Sequence, residues 1–184
     1  MVEVEISKSH LERAGEILKT LPIYAGSHRG LAANQVGVLG EIVVREQLRL
    51  RGIDPSPIFS TSHDFELENG KRVEVKTKDR TVPPRDDYEC SVPLYNHVHQ
   101  DVDYFIFVSL LRAKTRKDLE INRFEKAWIV GVTNKKMLHD RGVTRETGET
   151  DDRNGTTFWT ACQNIYIRDL VTLEWAVERW KKSS

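Results

Sequence analysis

The chain has 184 residues, 39% of them hydrophobic, which is enough for one compact domain with a core and too few for two of ordinary size. Its 28 basic and 28 acidic side chains cancel, so a globally basic surface is excluded and any phosphate contact must come from local charge. The two cysteines, Cys90 and Cys162, lie in no CxxC pair and no Cys/His set, which argues against a cysteine-held zinc or iron–sulfur site and for a reduced protein.

The N-terminal residues MVEVEISKSH lack an apolar signal core, and the longest apolar run, Tyr104 to Leu111, is too short to span a bilayer. The expectation is a soluble, cytoplasmic protein without a membrane partner. Residues 1–33 read as a helical extension: Ser7 or Ser9 caps a helix through Leu11, Ala14, Ile17 and Leu18, and a loop follows from Tyr24 to Gly30. A stronger helix covers 34–50 and stops at Gly52. At about 100° per residue, Val36, Leu39, Val43 and Leu50 share one face, while Gly37, Glu41, Val44 and Leu48 share another. Glu41 therefore stands among apolar neighbours, where a carboxylate is costly unless a cation meets it. A surface pairing with Arg45, four residues on, is the plainer alternative.

Residues 64–67 and 72–78 alternate polar and apolar around Asn69-Gly70, the pattern of a β-hairpin. Residues 79–100 carry Pro83-Pro84, Asp86-Asp87 and Pro93 and read as a long loop, with a short ordered piece near Tyr95. Tyr104–Leu111 and Ala127–Val132 have strand length and composition. Thr133 opens a short helix through Met137 and Leu138, closed by Gly142. Residues 143–155 read as a mobile loop, 156–160 and 164–168 as short strands, and 172–182 as a helix with Leu173, Ala176, Val177 and Trp180 on one stripe. Trp128, Trp159, Trp175 and Trp180 are assigned to the core. His97, His99, Asp101 and Asp103 have the look of a metal cluster, but a structural role at a strand entrance is favoured. This order of elements predicts an α/β layer with helices on a mixed sheet.

Alternation along the second hairpin strand puts Glu74, Lys76 and Lys78 on one face, with Val73 and Val75 on the other. Asp64 opens the partner strand, and register decides how near Glu74 it comes. Two carboxylates brought within about 4 Å repel by about 4 kcal/mol at an effective dielectric near 20. A proton or a hard divalent cation must offset that, and Lys76 adds positive charge beside them. Phosphodiester cleavage calls for these parts: a cation against the phosphate, an activated water and stabilisation of the leaving oxygen.

Asp64, nine intervening residues and then Glu74-Val75-Lys76 resemble the D…ExK signature of the PD-(D/E)XK nuclease superfamily, and Gly40-Glu41 on the preceding helix resembles the glutamate that members often carry there. The resemblance covers roughly residues 34–132. It departs from the family pattern at Ser62-His63, where a proline would precede the aspartate. The resemblance implies a restriction-endonuclease-like αβββαβ core in a single domain. It implies Mg²⁺ or Mn²⁺ held by Asp64, Glu74, the Val75 carbonyl and Glu41, and Lys76 positioning the attacking water. DNA is the implied substrate, and a homodimer is one assembly that would cut two strands. Lys78, Gln35, Arg45 and Arg80 are the expected nucleic-acid contacts, within a wider basic rim of Arg49, Arg51, Lys71, Arg72 and Arg85. A catalytically silent nuclease-like module that binds nucleic acid, or an RNA-directed nuclease, are the alternatives.

Overall fold

The computed structural model describes residues 1–21, 30–58, 62–94, 101–152 and 155–182. The elements in chain order are β1 (Val2–Glu5), α1 (Lys8–Thr20), α2 (Gly30–Leu50), β2 (Ser56–Pro57), β3 (Phe65–Glu66), β4 (Arg72–Arg80), β5 (Glu89–Pro93), β6 (Tyr104–Arg112), β7 (Phe124–Asn134), α3 (Lys135–Arg141), β8 (Val143–Arg145), β9 (Thr150–Asp151), β10 (Thr156–Thr157), β11 (Cys162–Tyr166) and α4 (Leu173–Lys182).

Local chemistry accounts for the helix ends. Ser7 caps α1, its hydroxyl accepting the His10 N–H, while His10 Nδ1 accepts the Ser7 N–H in return. At the other end of the helical layer, α2 closes where Gly52 N–H meets the Arg49 carbonyl and Ile53 N–H meets that of Leu48, with Gly52 at φ 76°. That paired closure needs the left-handed conformation glycine adopts without strain. Asn134, not Thr133, caps α3, its side chain accepting the Met137 N–H at 2.8 Å.

The main sheet has the order β1-β7-β6-β4-β3-β2. β4 and β6 are parallel, and the other pairs are antiparallel. On one face α1, α2 and α4 bury Leu39, Val43, Val44, Leu48, Val73, Ile106, Val108, Ile129 and Trp180. On the other face Phe105, Phe107, Trp128 and Val130 pack against Cys90, Val92, Leu138 and Ile165 from α3 and a second sheet of order β5-β11-β8. The central strands are therefore apolar on both faces, which is why Tyr104–Arg112 reads as an unbroken hydrophobic run.

The expected mixed α/β class is what the chain forms. Several local expectations change. Val2–Glu5 is a strand on the edge of β7, and 89–93 and 143–145 join the second sheet where loops were expected. Their partners are distant in sequence, so the pairing leaves little local trace. Leu50 is 71% exposed, off the apolar stripe assigned to it, and Trp159 and Trp175 are also exposed, unlike the buried Trp128 and Trp180. Between β6 and β7 the chain makes a single 3₁₀ turn at Ile121–Arg123, and the next helix, α3, leads into the second sheet. No described helix is long and apolar enough to cross a membrane. The expected loop over 24–30 lies outside the described residues save for Gly30, which begins α2.

Candidate active site

The hairpin register brings Asp64 to Glu74. Leu67 N–H donates to the Lys71 carbonyl and Gly70 N–H to that of Leu67, with Gly70 at φ 74°, so a three-residue loop joins β3 to β4. Glu66 then pairs with Arg72 and Phe65 with Val73, where the paired register ends, and the Asp64 side chain comes within hydrogen-bonding reach of Glu74. The Asp64 N–H also reaches the Val73 carbonyl at 3.0 Å, so two residues face one, the mark of a bulge. Beyond it the outer edge of β4 has no strand partner among the described residues. Asp64 Oδ2 fills that edge and accepts the Val75 N–H at 2.7 Å. In an extended strand a residue's N–H and C=O point the same way, so the Val75 carbonyl faces this edge too.

Glu41 arrives from the helical layer. A Cβ on Gly40 would lie 2.0 Å from Thr77 Oγ1, so only glycine lets α2 settle directly on β4. Glu41, about 100° further round the helix, then leans over the open edge. Its carboxyl is pushed up to about 8, first by burial and then by the charges of Asp64 and Glu74. Asp64 is pushed up to about 7 by burial and by Glu74, against the opposing pull of the Val75 N–H and Lys76. Glu74 is 7% exposed, and Lys76 Nζ donates to its Oε1 at 2.6 Å. One buried and two half-buried carboxyl groups thus gather beside one ammonium.

No group of three His, Cys, Asp or Glu side chains among the described residues is preformed as a metal-holding set. The donors nonetheless suit a hard divalent ion, because Mg²⁺ needs only one or two carboxylates and keeps several waters. Asp64, Glu74 and the Val75 carbonyl supply that much. Proton retention by Asp64 and Glu41, with Lys76 resting on Glu74, is how the pocket balances its charge without one.

The structure therefore gathers Asp64, Glu74, Val75, Lys76 and Glu41, and it distributes the other expected site residues elsewhere. Lys78 turns beneath β5, donating to the Glu89 carbonyl at 3.3 Å, and burial and Arg80 lower its pKa. Arg80 donates from Nε to Ser109 at 2.9 Å and lies over the Tyr88 ring. Gln35 is 6% exposed; its amide donates to the Leu119 carbonyl and accepts from Arg123, tying α2 to the turn before β7. Arg45 is not among the ion pairs of Glu41, and its neighbouring charges are Arg49, Arg13 and Asp54. Within the basic rim, Arg49, Arg51, Lys71, Arg72 and Arg85 each meet a carboxylate. Asp101 and Asp103 are the partners of Arg72 and Lys71, the structural role favoured for them; His97, His99 and Tyr95 lie outside the described residues.

Two contributors were not singled out. Gly40 was noted only as Glu41's neighbour, although a glycine inside a helix is itself a signal of close packing. His63, in the place of the expected proline, is 8% exposed with Nε2 buried and without a hydrogen-bond partner; nothing in the sequence marks it. No protein-family model matches the chain, and a search of curated proteins finds no relative.

Proposed function

We propose that the protein is a metal-dependent nuclease of the PD-(D/E)XK type, with a restriction-endonuclease-like core, hydrolysing phosphodiester bonds of DNA as an endonuclease. Mg²⁺ or Mn²⁺ is its cofactor and the cytoplasm its setting. One observation carries the reading: half-buried Asp64 and Glu41 crowd buried Glu74 beside Lys76, at the only stretch of β4 that β3 leaves open among the described residues. Like charges are costly in a buried site unless the site has a use for a cation.

Asp64, Glu74 and the Val75 carbonyl would hold the ion, and Glu41 a second ion or a bound water. When bound, the ion neutralises charge on the phosphate and lowers the pKa of a coordinated water. Lys76 is the residue that moves: released from Glu74, its ammonium reaches the attacking water or the phosphate oxygen. The Val75 N–H holds Asp64 in one orientation throughout. Glu41 holds a proton near neutral pH in the metal-free protein; with an ion bound that proton would be lost to solvent, and the carboxylate left behind would be able to accept one from the attacking water.

The second reading is a nuclease-like module that binds nucleic acid without cutting it, in which the same acidic side chains stay protonated or paired with Lys76. Incubating supercoiled plasmid with the protein in Mg²⁺, Mn²⁺ or EDTA separates the two. Nicking or linearisation in either metal and none in EDTA is expected. Intact plasmid in both metals, from folded protein that retards DNA in a gel, would leave only the module. Parallel digestion of single strands, junctions and RNA identifies the substrate form.

A further inference from the structure

The charge on α2 does not end at Glu41. Residues four apart on a helix advance about 6 Å along its axis and about 40° around it. Glu41, Arg45 and Arg49 therefore form a stripe that starts at the open edge of β4 and curves over the solvent side of α2 toward α1. Arg13 of α1 lines the same cavity as Arg49, and both act on the charge of Arg45. Beside the stripe a cavity of about 380 Å³ opens between the helices, lined by Ser9, His10, Arg13, Ile42, Glu46, Arg49 and Leu50.

Of the carboxylates nearby, Glu46 is held against His10, while Asp54 pairs with Arg49 itself at 2.6 Å and partly offsets the charge around Arg45. Arg45 has an Nε that is buried and makes no hydrogen bond. Burial and then Arg49 and Arg13 lower its pKa, against the opposing pull of Asp54. The Arg45 guanidinium makes no ion pair with a carboxylate among the described residues, and a fork so placed is shaped for phosphate oxygens, which it takes two at a time.

We propose that Arg13 and Arg45, flanked by the Asp54-paired Arg49, form a phosphate clamp that holds the sugar–phosphate backbone of a nucleic-acid strand flanking the pocket of Asp64 and Glu74. The inference rests on the nuclease reading for the direction of the strand, and on charge and geometry for the clamp itself. A strand leaving the pocket along α2 meets Arg45 about 6 Å and Arg49 about 12 Å further on, measured by helix rise. The clamp makes no base contact, so it tracks backbone and carries no sequence preference.

The test uses fluorescence anisotropy with a labelled DNA duplex and a labelled single strand, in EDTA, between about 50 and 200 mM salt. The double variant Arg13→Gln/Arg45→Gln is expected to bind about tenfold more weakly at the low end, and to lose about two from the slope of log affinity against log salt. Arg45→Lys should restore much of the loss. Circular dichroism and Mn²⁺ affinity should match wild type, and KM should rise while kcat holds. Wild-type affinity and salt slope in the double variant would overturn the clamp. A protein that binds through these arginines yet never cuts in Mg²⁺ or Mn²⁺ leaves the clamp standing and ends the nuclease reading. A protein that cuts, with binding indifferent to the double variant, ends the clamp alone.

Discussion

Two glutamates in this molecule are buried to the same degree, each 7% exposed, in opposite electrostatic circumstances. Glu89, on β5, receives two hydrogen bonds from Arg145 of β8 at 2.7 and 3.3 Å and one from Asn164 of β11 at 2.7 Å. Those bonds also raise the pKa of Arg145, and they bolt three strands of the second sheet together. Glu74 has one ammonium at 2.6 Å and two further carboxyl groups beside it. A buried charge with matching donors is a structural joint; a buried charge crowded by its own sign is a site that something else completes. The second sheet's network balances its charge with paired side chains, and the cluster on β4 balances its own by retaining protons.

The sharpest break between the two regions is catalytic. Glu74→Ala and Lys76→Ala should each lower plasmid cleavage by at least about a thousandfold with the far-ultraviolet spectrum unchanged, because each removes a part the reaction cannot do without. Near-wild-type cutting by either variant would remove these residues from the mechanism.

Glu89→Ala should do the reverse. Removing one partner of a buried ion pair costs about 3 kcal/mol, here by leaving Asn164 without its acceptor and Arg145 with Glu149 alone. Urea melts should show that loss, while the cleavage rate at low denaturant stays near wild type. A collapse of activity in protein that is still folded would mean the two regions are coupled.

The smallest effect concerns pH. Asp64 and Glu41 hold protons in the folded protein up to about 7 and about 8, well above the ordinary carboxyl range. The folded state therefore binds more protons than the unfolded chain between about pH 4 and pH 8, and metal-free stability should fall as pH rises through that window and level off above it. Glu41→Gln should flatten the fall and gain about 1 kcal/mol at pH 8, or about 3 °C in Tm. Added Mg²⁺ should stabilise the wild type more at pH 8 than at pH 6, since the ion competes with those protons. A Tm that ignores both pH and Glu41→Gln in EDTA would show that the carboxyl groups do not repel.

Sequence patterning and structure agree where the signal is local. The Asn69-Gly70 turn, the helix closed at Gly52, the α4 stripe and the apolar run of β6 all follow from neighbours within one turn or one hairpin. Glu41, Glu74 and Lys76 stood out for the same reason, since a carboxylate among apolar neighbours and an alternating charged strand are visible without a fold. The nucleic-acid contacts expected at Lys78 and Gln35 were chosen by charge or polarity along the chain, and burial beneath β5 and against Arg123 takes both side chains away from the open edge.

Alternation and turn chemistry in the sequence determined which residues stand on the hairpin and that Glu74 and Lys76 share a face. Only the tertiary structure decided that Asp64 meets Glu74, through a bulge and the end of β3 at the open side of β4. It also decided that Glu41 reaches both, through the contact of Gly40 with Thr77, and that β1, β5 and β8 are strands at all. The division has one physical cause. Periodicity reports how a segment presents itself to a partner, whereas the identity of that partner depends on contacts between residues tens of positions apart, which leave no pattern in either segment alone.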